Sequence, residues 1–165
     1  MKKIVFPSMI LFIILFTGCS TKGSLVLKEG YKFENNPKIN VDKITNDTSK
    51  VYEHNIEEFM KEALFEELKN NELLVSGNEA KIDLQVSILD YQEGNAFKRW
   101  LLPGWGATVL KVEATLKENN DVIATSKIDS NIAAGGGYTI GAWKYVYTGV
   151  AKKLISDIKE EYAKK

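Results

Sequence analysis

The chain has 165 residues, of which 22 are Lys or Arg and 22 are Asp or Glu, so its formal net charge is zero. That balance supplies no basic surface for neutralising phosphates, and nucleic acid is excluded as an expected partner. One histidine (His54) and one cysteine (Cys19) are too few for a zinc site, which takes three or four such ligands.

The first segment reads as a secretory signal peptide over residues 1–18. Met1-Lys2-Lys3 is positively charged, Ile4 to Phe16 is almost wholly apolar, and Thr17-Gly18 puts small residues before Cys19. The apolar run is well short of the roughly 20 residues that span a bilayer as a helix. A signal peptide cleaved elsewhere would leave Cys19 a free thiol with no disulfide partner. Phe16-Thr17-Gly18-Cys19 resembles the lipobox of bacterial lipoproteins, with Phe16 where the pattern prefers Leu. The resemblance implies lipidation of Cys19 by a thioether-linked diacylglycerol and an N-acyl chain, two anchors that together hold stably. Ser20 rather than Asp follows the cysteine, which under the sorting rule of Gram-negative lipoproteins implies the periplasmic leaflet of the outer membrane.

Residues 19–36 are rich in Ser, Lys, Gly and Asn around Leu25-Val26-Leu27. They read as a lipidated N-terminus and tether, with a short strand as their structural contribution. Residues 37–165 read as a single domain, long enough for a core. Lys38 to Thr45 alternates as a first strand, with Ile39, Val41 and Lys43 facing one way, and Asn46 to Ser49 carries turn and helix-capping chemistry. Ile56, Phe59, Met60, Ala63, Leu64 and Leu68 recur at spacings of three and four, predicting a helix within residues 50–70.

Two period-two runs follow. Ile82, Leu84, Val86 and Ile88 alternate with Asp83, Gln85 and Ser87. Leu110, Val112, Ala114 and Leu116 alternate with Lys111, Glu113, Thr115 and Lys117. Glu118-Asn119-Asn120-Asp121 is a hairpin turn in composition, leading to a weaker strand from Val122 to Ala133. After Gly135-Gly136-Gly137, a second helix from Ile140 sets Trp143, Tyr147, Val150, Ala151, Leu154 and Ile158 on one face. Lys152, Lys153, Asp157, Lys159 and Glu160 occupy the other. The expected fold is two-layer α+β. A mainly antiparallel sheet of about four strands carries both amphipathic helices on one face, in the order β-α-β-β-β-α.

Catalytic motifs fail on spacing. Gly136 and Gly141 have P-loop separation, but Ala142 stands where lysine must reach the phosphates. Ile140 replaces the third glycine of a dinucleotide fingerprint. No Gly-x-Ser-x-Gly elbow accompanies His54, which is expected solvated in the first turn of the helix. Asp90 and Glu93 at a strand end are the carboxylates least easily assigned to a solvated face. No enzyme activity, cofactor or metal is expected.

Gly94 to Gly106 joins two amphipathic strands, yet contains Phe97, Trp100, Leu101, Leu102 and Trp105 beside Lys98-Arg99. Either the loop folds over the open sheet face, onto Tyr138 and Trp143, or something outside covers it. Phe97, Lys98, Arg99, Trp100 and Trp105 are the candidate contact residues. Trp and Arg anchor protein interfaces, and Trp settles at bilayer surfaces.

Asp90-Tyr91, Gly94-Asn95, Arg99, Gly104-Trp105-Gly106-Ala107, a strand and a polar turn, then glycines before a last helix, resemble the DUF4410 family over about residues 37–160. Thr108 follows where family members often carry a further glycine. The resemblance implies an envelope-anchored α+β domain and brings no activity, substrate or catalytic residue. More distantly, the layout is similar to periplasmic domains of secretion and envelope-assembly lipoproteins. The expected function is a non-catalytic binding or assembly module with an envelope protein partner. The alternative is a self-associating subunit of a transport or secretion complex.

Overall fold

The computed structural model describes residues 19–33, 36–75, 81–102, 104–135 and 141–164. The expected signal peptide lies outside them, as do Gly136, Gly137, Tyr138 and Ile140. Among the described residues the strands are β1 (Cys19–Leu27), β2 (Ile39–Asn46), β3 (Ile82–Gln92), β4 (Thr108–Glu118) and β5 (Asp121–Ile132). The α-helices are α1 (Ile56–Asn70), α2 (Ala96–Leu101) and α3 (Tyr145–Ala163).

The strands form one open sheet in the order β1-β5-β4-β3-β2. Five strands rather than four result because β1 runs antiparallel to β5 along the edge, from Cys19 opposite Ile132 to Leu27 opposite Ala124. The first nine residues of the expected tether are therefore part of the sheet. β2 pairs parallel with β3, and α1 makes the crossover that a parallel pair requires.

Alternation places Ile82, Leu84, Val86 and Ile88 of β3 on one face with Leu110, Val112, Ala114 and Leu116 of β4, and all eight are buried. Met60, Leu64 and Leu68 of α1 and Tyr147, Val150 and Leu154 of α3 close over that face. Asp157, expected on the wet side of α3, is buried and accepts a hydrogen bond from Lys153 one turn earlier. The opposite sheet face is polar, with Lys111 3.9 Å from Asp90 and Lys127 3.8 Å from Glu113.

Two bulges change which residues point inward. The register slips between Val41 and Lys43, so the inward residue after Val41 is Ile44, and Lys43 lies exposed opposite Gln85. In β3 the slip falls between Ile88 and Asp90. The extra residue, Leu89, reverses the phase, so Asp90 faces solvent and Tyr91 is buried. Capping also falls later than expected. Asn46 accepts hydrogen bonds from Thr48 in a local turn, while Asn55 caps α1 by accepting from the Glu58 N–H at 2.9 Å.

Candidate functional site

One end of the sheet gathers the C-terminus of β3, the N-terminus of β4, the C-terminus of β5 and the N-terminus of β1. The segment expected as a loop is here a short helix, α2. Asn95 caps it by accepting from the Lys98 N–H at 3.0 Å. A helix sets residues three and four apart on one side, so Phe97, Trp100 and Leu101 form one stripe. That stripe faces outward, with Phe97 66%, Trp100 64% and Leu101 50% exposed. Leu102 and Trp105 extend it, and Lys98 Nζ lies 5.5 Å from the centre of the Trp105 ring. The segment does not fold over the open sheet face, and Trp143 packs elsewhere.

Arg99 departs from its expected place on the contact surface. It projects inward and is 3% exposed. Its guanidinium donates to the Gly106 carbonyl and to Thr108 Oγ1, both at 3.0 Å, and the Thr108 hydroxyl donates to the Glu93 carbonyl. Burial lowers the Arg99 pKa from its ordinary value. Arg99 therefore ties both ends of the connection together beneath the aromatic stripe. The Asn95 N–H reaches the same Gly106 carbonyl at 2.9 Å. Gly106 has φ 77°, and a Cβ there would meet Lys98 Cβ at 2.7 Å, so glycine alone lets the chain close this tightly. The Gly104 N–H donates to the Ala133 carbonyl at 2.6 Å, fastening the turn to the end of β5.

Behind this cap lies an aromatic cluster. The Trp143 ring is stacked on His54 with centroids 4.9 Å apart and planes 7° from parallel, and it meets Phe59 edge-on at 4.9 Å. His54 precedes α1 rather than lying in its first turn, and is half-buried with Nε2 3.8 Å from Glu93. Tyr91 and Tyr147 pack 5.7 Å apart beneath. Burial pushes the Tyr91 pKa up to about 12 and that of Tyr147 further still. Asp90 and Glu93, the carboxylate pair suspected from sequence, are each about half exposed and face different partners, Lys111 and His54.

Cys19 is an exposed free cysteine and the first residue of β1. Among the described residues, no group of three or more His, Cys, Asp or Glu side chains is placed to hold a metal ion, and no helix is long and apolar enough to cross a membrane.

Fold and site together define a two-layer α+β domain with an internally hydrogen-bonded, outward-facing aromatic cap at the end of the sheet where β1 begins. The chain belongs to the family described as "Domain of unknown function (DUF4410)", which matches residues 29–136. Cys19 stands upstream of that match, in a position consistent with a lipobox. No curated protein matches the chain in sequence.

Among solved structures, the fold is similar to PelC of Paraburkholderia phytofirmans, determined as a dodecamer in two crystal forms. Each superimposes with a TM-score of 0.55 at 12% identity. The alignments cover 82% and 83% of this chain and 98% and 97% of PelC. A candidate lipoprotein from Caulobacter crescentus CB15 aligns at 16% identity with a TM-score of 0.46, over 74% of this chain and 92% of that one.

Proposed function

We propose that this protein is a lipid-anchored cell-envelope lipoprotein whose domain is a non-catalytic binding and assembly module. The observation that carries the proposal is the position of Cys19. The lipobox cysteine is the first residue of a sheet strand, so processing immediately before it leaves every described strand whole. Ser20 directs the anchored protein to the periplasmic leaflet of the outer membrane. The contact surface is the exposed cap from Phe97 to Trp105, with Arg99 as its internal brace.

Incorporation of labelled palmitate tests the anchor. Wild type is expected to take up label and to fractionate with membranes, and Cys19→Ala to do neither. Label retained by Cys19→Ala would refute lipidation at this residue.

A second reading, self-association, is favoured by the likeness to a protein that forms dodecamers. The outer strands of the sheet, β1 and β2, each have one neighbouring strand, and although Leu74 bridges the start of β2 at Ile39, the remaining edges are open for pairing between copies. Sedimentation of the delipidated domain tests it, and a strict monomer at high concentration would overturn it.

A further inference from the structure

Cys19 and the aromatic cap lie at the same end of the sheet. Cys19 pairs with Ile132 on β5, and Ile132 pairs with Thr108 on β4. Two strand spacings of ~4.8 Å put Cys19 about 10 Å from Thr108 across the sheet. The turn after α2 is fastened to the same strand end, because the Gly104 N–H donates to the carbonyl of Ala133, the residue that follows the partner of Cys19.

We propose that the cap is a bilayer-docking surface, in which Phe97, Trp100, Leu101, Leu102 and Trp105 enter the interfacial layer of the membrane that holds Cys19. The proposal rests on the lipid-anchor reading and names what the contact surface touches.

Three observations carry it. First, β1 leaves no slack. Cys19 is in register with Ile132 from the first residue pair, so acyl chains on it bring this end of the sheet down to the membrane. A free tether of 17 residues would instead allow a reach of about 55 Å. Second, the exposed residues suit the boundary between head groups and acyl chains. Trp rings and leucines point outward, and the Lys98 ammonium lies against the Trp105 ring, a pairing that keeps the charge in the head-group layer while the ring goes deeper. Third, the cap is preformed. Arg99, Asn95 and Gly106 hold it from beneath, so no ordering of the segment opposes insertion.

The test uses the three tryptophans, of which Trp143 is packed against His54 and Phe59 and serves as an internal reference. Lipidated full-length protein is reconstituted into phosphatidylethanolamine–phosphatidylglycerol vesicles carrying a nitroxide near the head group. Tryptophan emission is expected to be strongly quenched. In Trp100→Phe/Trp105→Phe, whose conservative changes keep the fold, the quenched component should be lost while circular dichroism is unchanged. Vesicle-bound protein whose Trp100 and Trp105 remain unquenched would overturn docking and leave the anchor intact. Wild type that fails to stay on vesicles would instead overturn the anchor. In cells, a photoreactive benzoylphenylalanine at position 97 should form lipid adducts, and a discrete protein adduct would assign the cap to a protein partner and overturn the proposal.

Discussion

Tyr147 is a fully buried residue whose hydroxyl finds no partner of good geometry within the protein, and the same holds for the Tyr91 hydroxyl beside it. Burial penalises the phenolate, so both pKa values rise. In the unfolded chain both would ionise near the usual value of about 10. Below that pH both states keep their protons and stability is full. Above it the unfolded chain loses protons that the folded protein retains, and stability falls by up to ~1.4 kcal/mol per pH unit for each tyrosine. The Tyr91 contribution is exhausted once the pH passes its folded value of about 12. Urea midpoints measured between pH 8 and 11.5 should therefore decline steeply for wild type and less steeply for Tyr147→Phe. The same variant should lose little stability at pH 8, since the buried hydroxyl it removes makes no well-formed hydrogen bond. The sequence placed Tyr147 on the apolar stripe of α3, but could not show Tyr91 inward, because the Leu89 bulge that turns it is invisible to a period-two count. Arg99 escaped for a related reason. Residue type argues for an exposed arginine, and only its helical spacing from the outward Phe97, Trp100 and Leu101 hints that it lies on the other side.

At the scale of elements, the strongest periodicities were legible. β3, β4 and α1 bury the residues their spacings select, except Phe59 of α1, which is partly buried. β5 was faint because its inward positions alternate small hydroxyls with aliphatics. Ser126 donates to the Ser24 carbonyl at 3.1 Å, and Ser130 shares a hydrogen bond with Thr21 at 2.9 Å. Those hydroxyls have a packing partner in Gly149, where a Cβ would meet Thr21 Oγ1 at 2.7 Å and Ser130 Oγ at 2.9 Å. Helix propensity alone predicts that Gly149→Ala should stabilise α3 by up to ~1 kcal/mol. The close approach reverses the sign, since the extra methyl must displace the Thr21 and Ser130 hydroxyls that are hydrogen-bonded to each other there, or shift α3 from β1 and β5. A net loss of about 1–3 kcal/mol is expected from urea denaturation. Gly149→Ala combined with Ser130→Gly, which removes the nearer side chain on β5, should recover part of that loss.

At the scale of the whole molecule, the first and last of the described elements meet. The DUF4410 match runs from residue 29 to 136, so β1 and the whole of α3 lie outside it, yet Gly149 of α3 packs directly against Thr21 of β1. Composition marked residues 19–36 as a tether because Ser, Lys and Gly dominate there. An edge strand needs few apolar residues, however, and Leu25 and Leu27 suffice to pack β1 on the core. Removing residues 19–27 should therefore behave as loss of a structural strand. We expect a fall of ~3 kcal/mol or more in unfolding free energy, from the lost apolar burial alone, together with concentration-dependent association as β5 becomes an open edge.

The pairing of Cys19 with Ile132 also sets an order of events. More than a hundred residues separate these partners, and synthesis proceeds from the N-terminus at about 5–20 residues per second. β1 emerges first and has nothing to pair with until β5 has been made, several seconds later. Its segment is thus the earliest part of the sheet to exist and among the last to be locked. During that interval Cys19 is presented on an unpaired strand, so whatever acts on the cysteine can meet it on extended chain before the sheet closes.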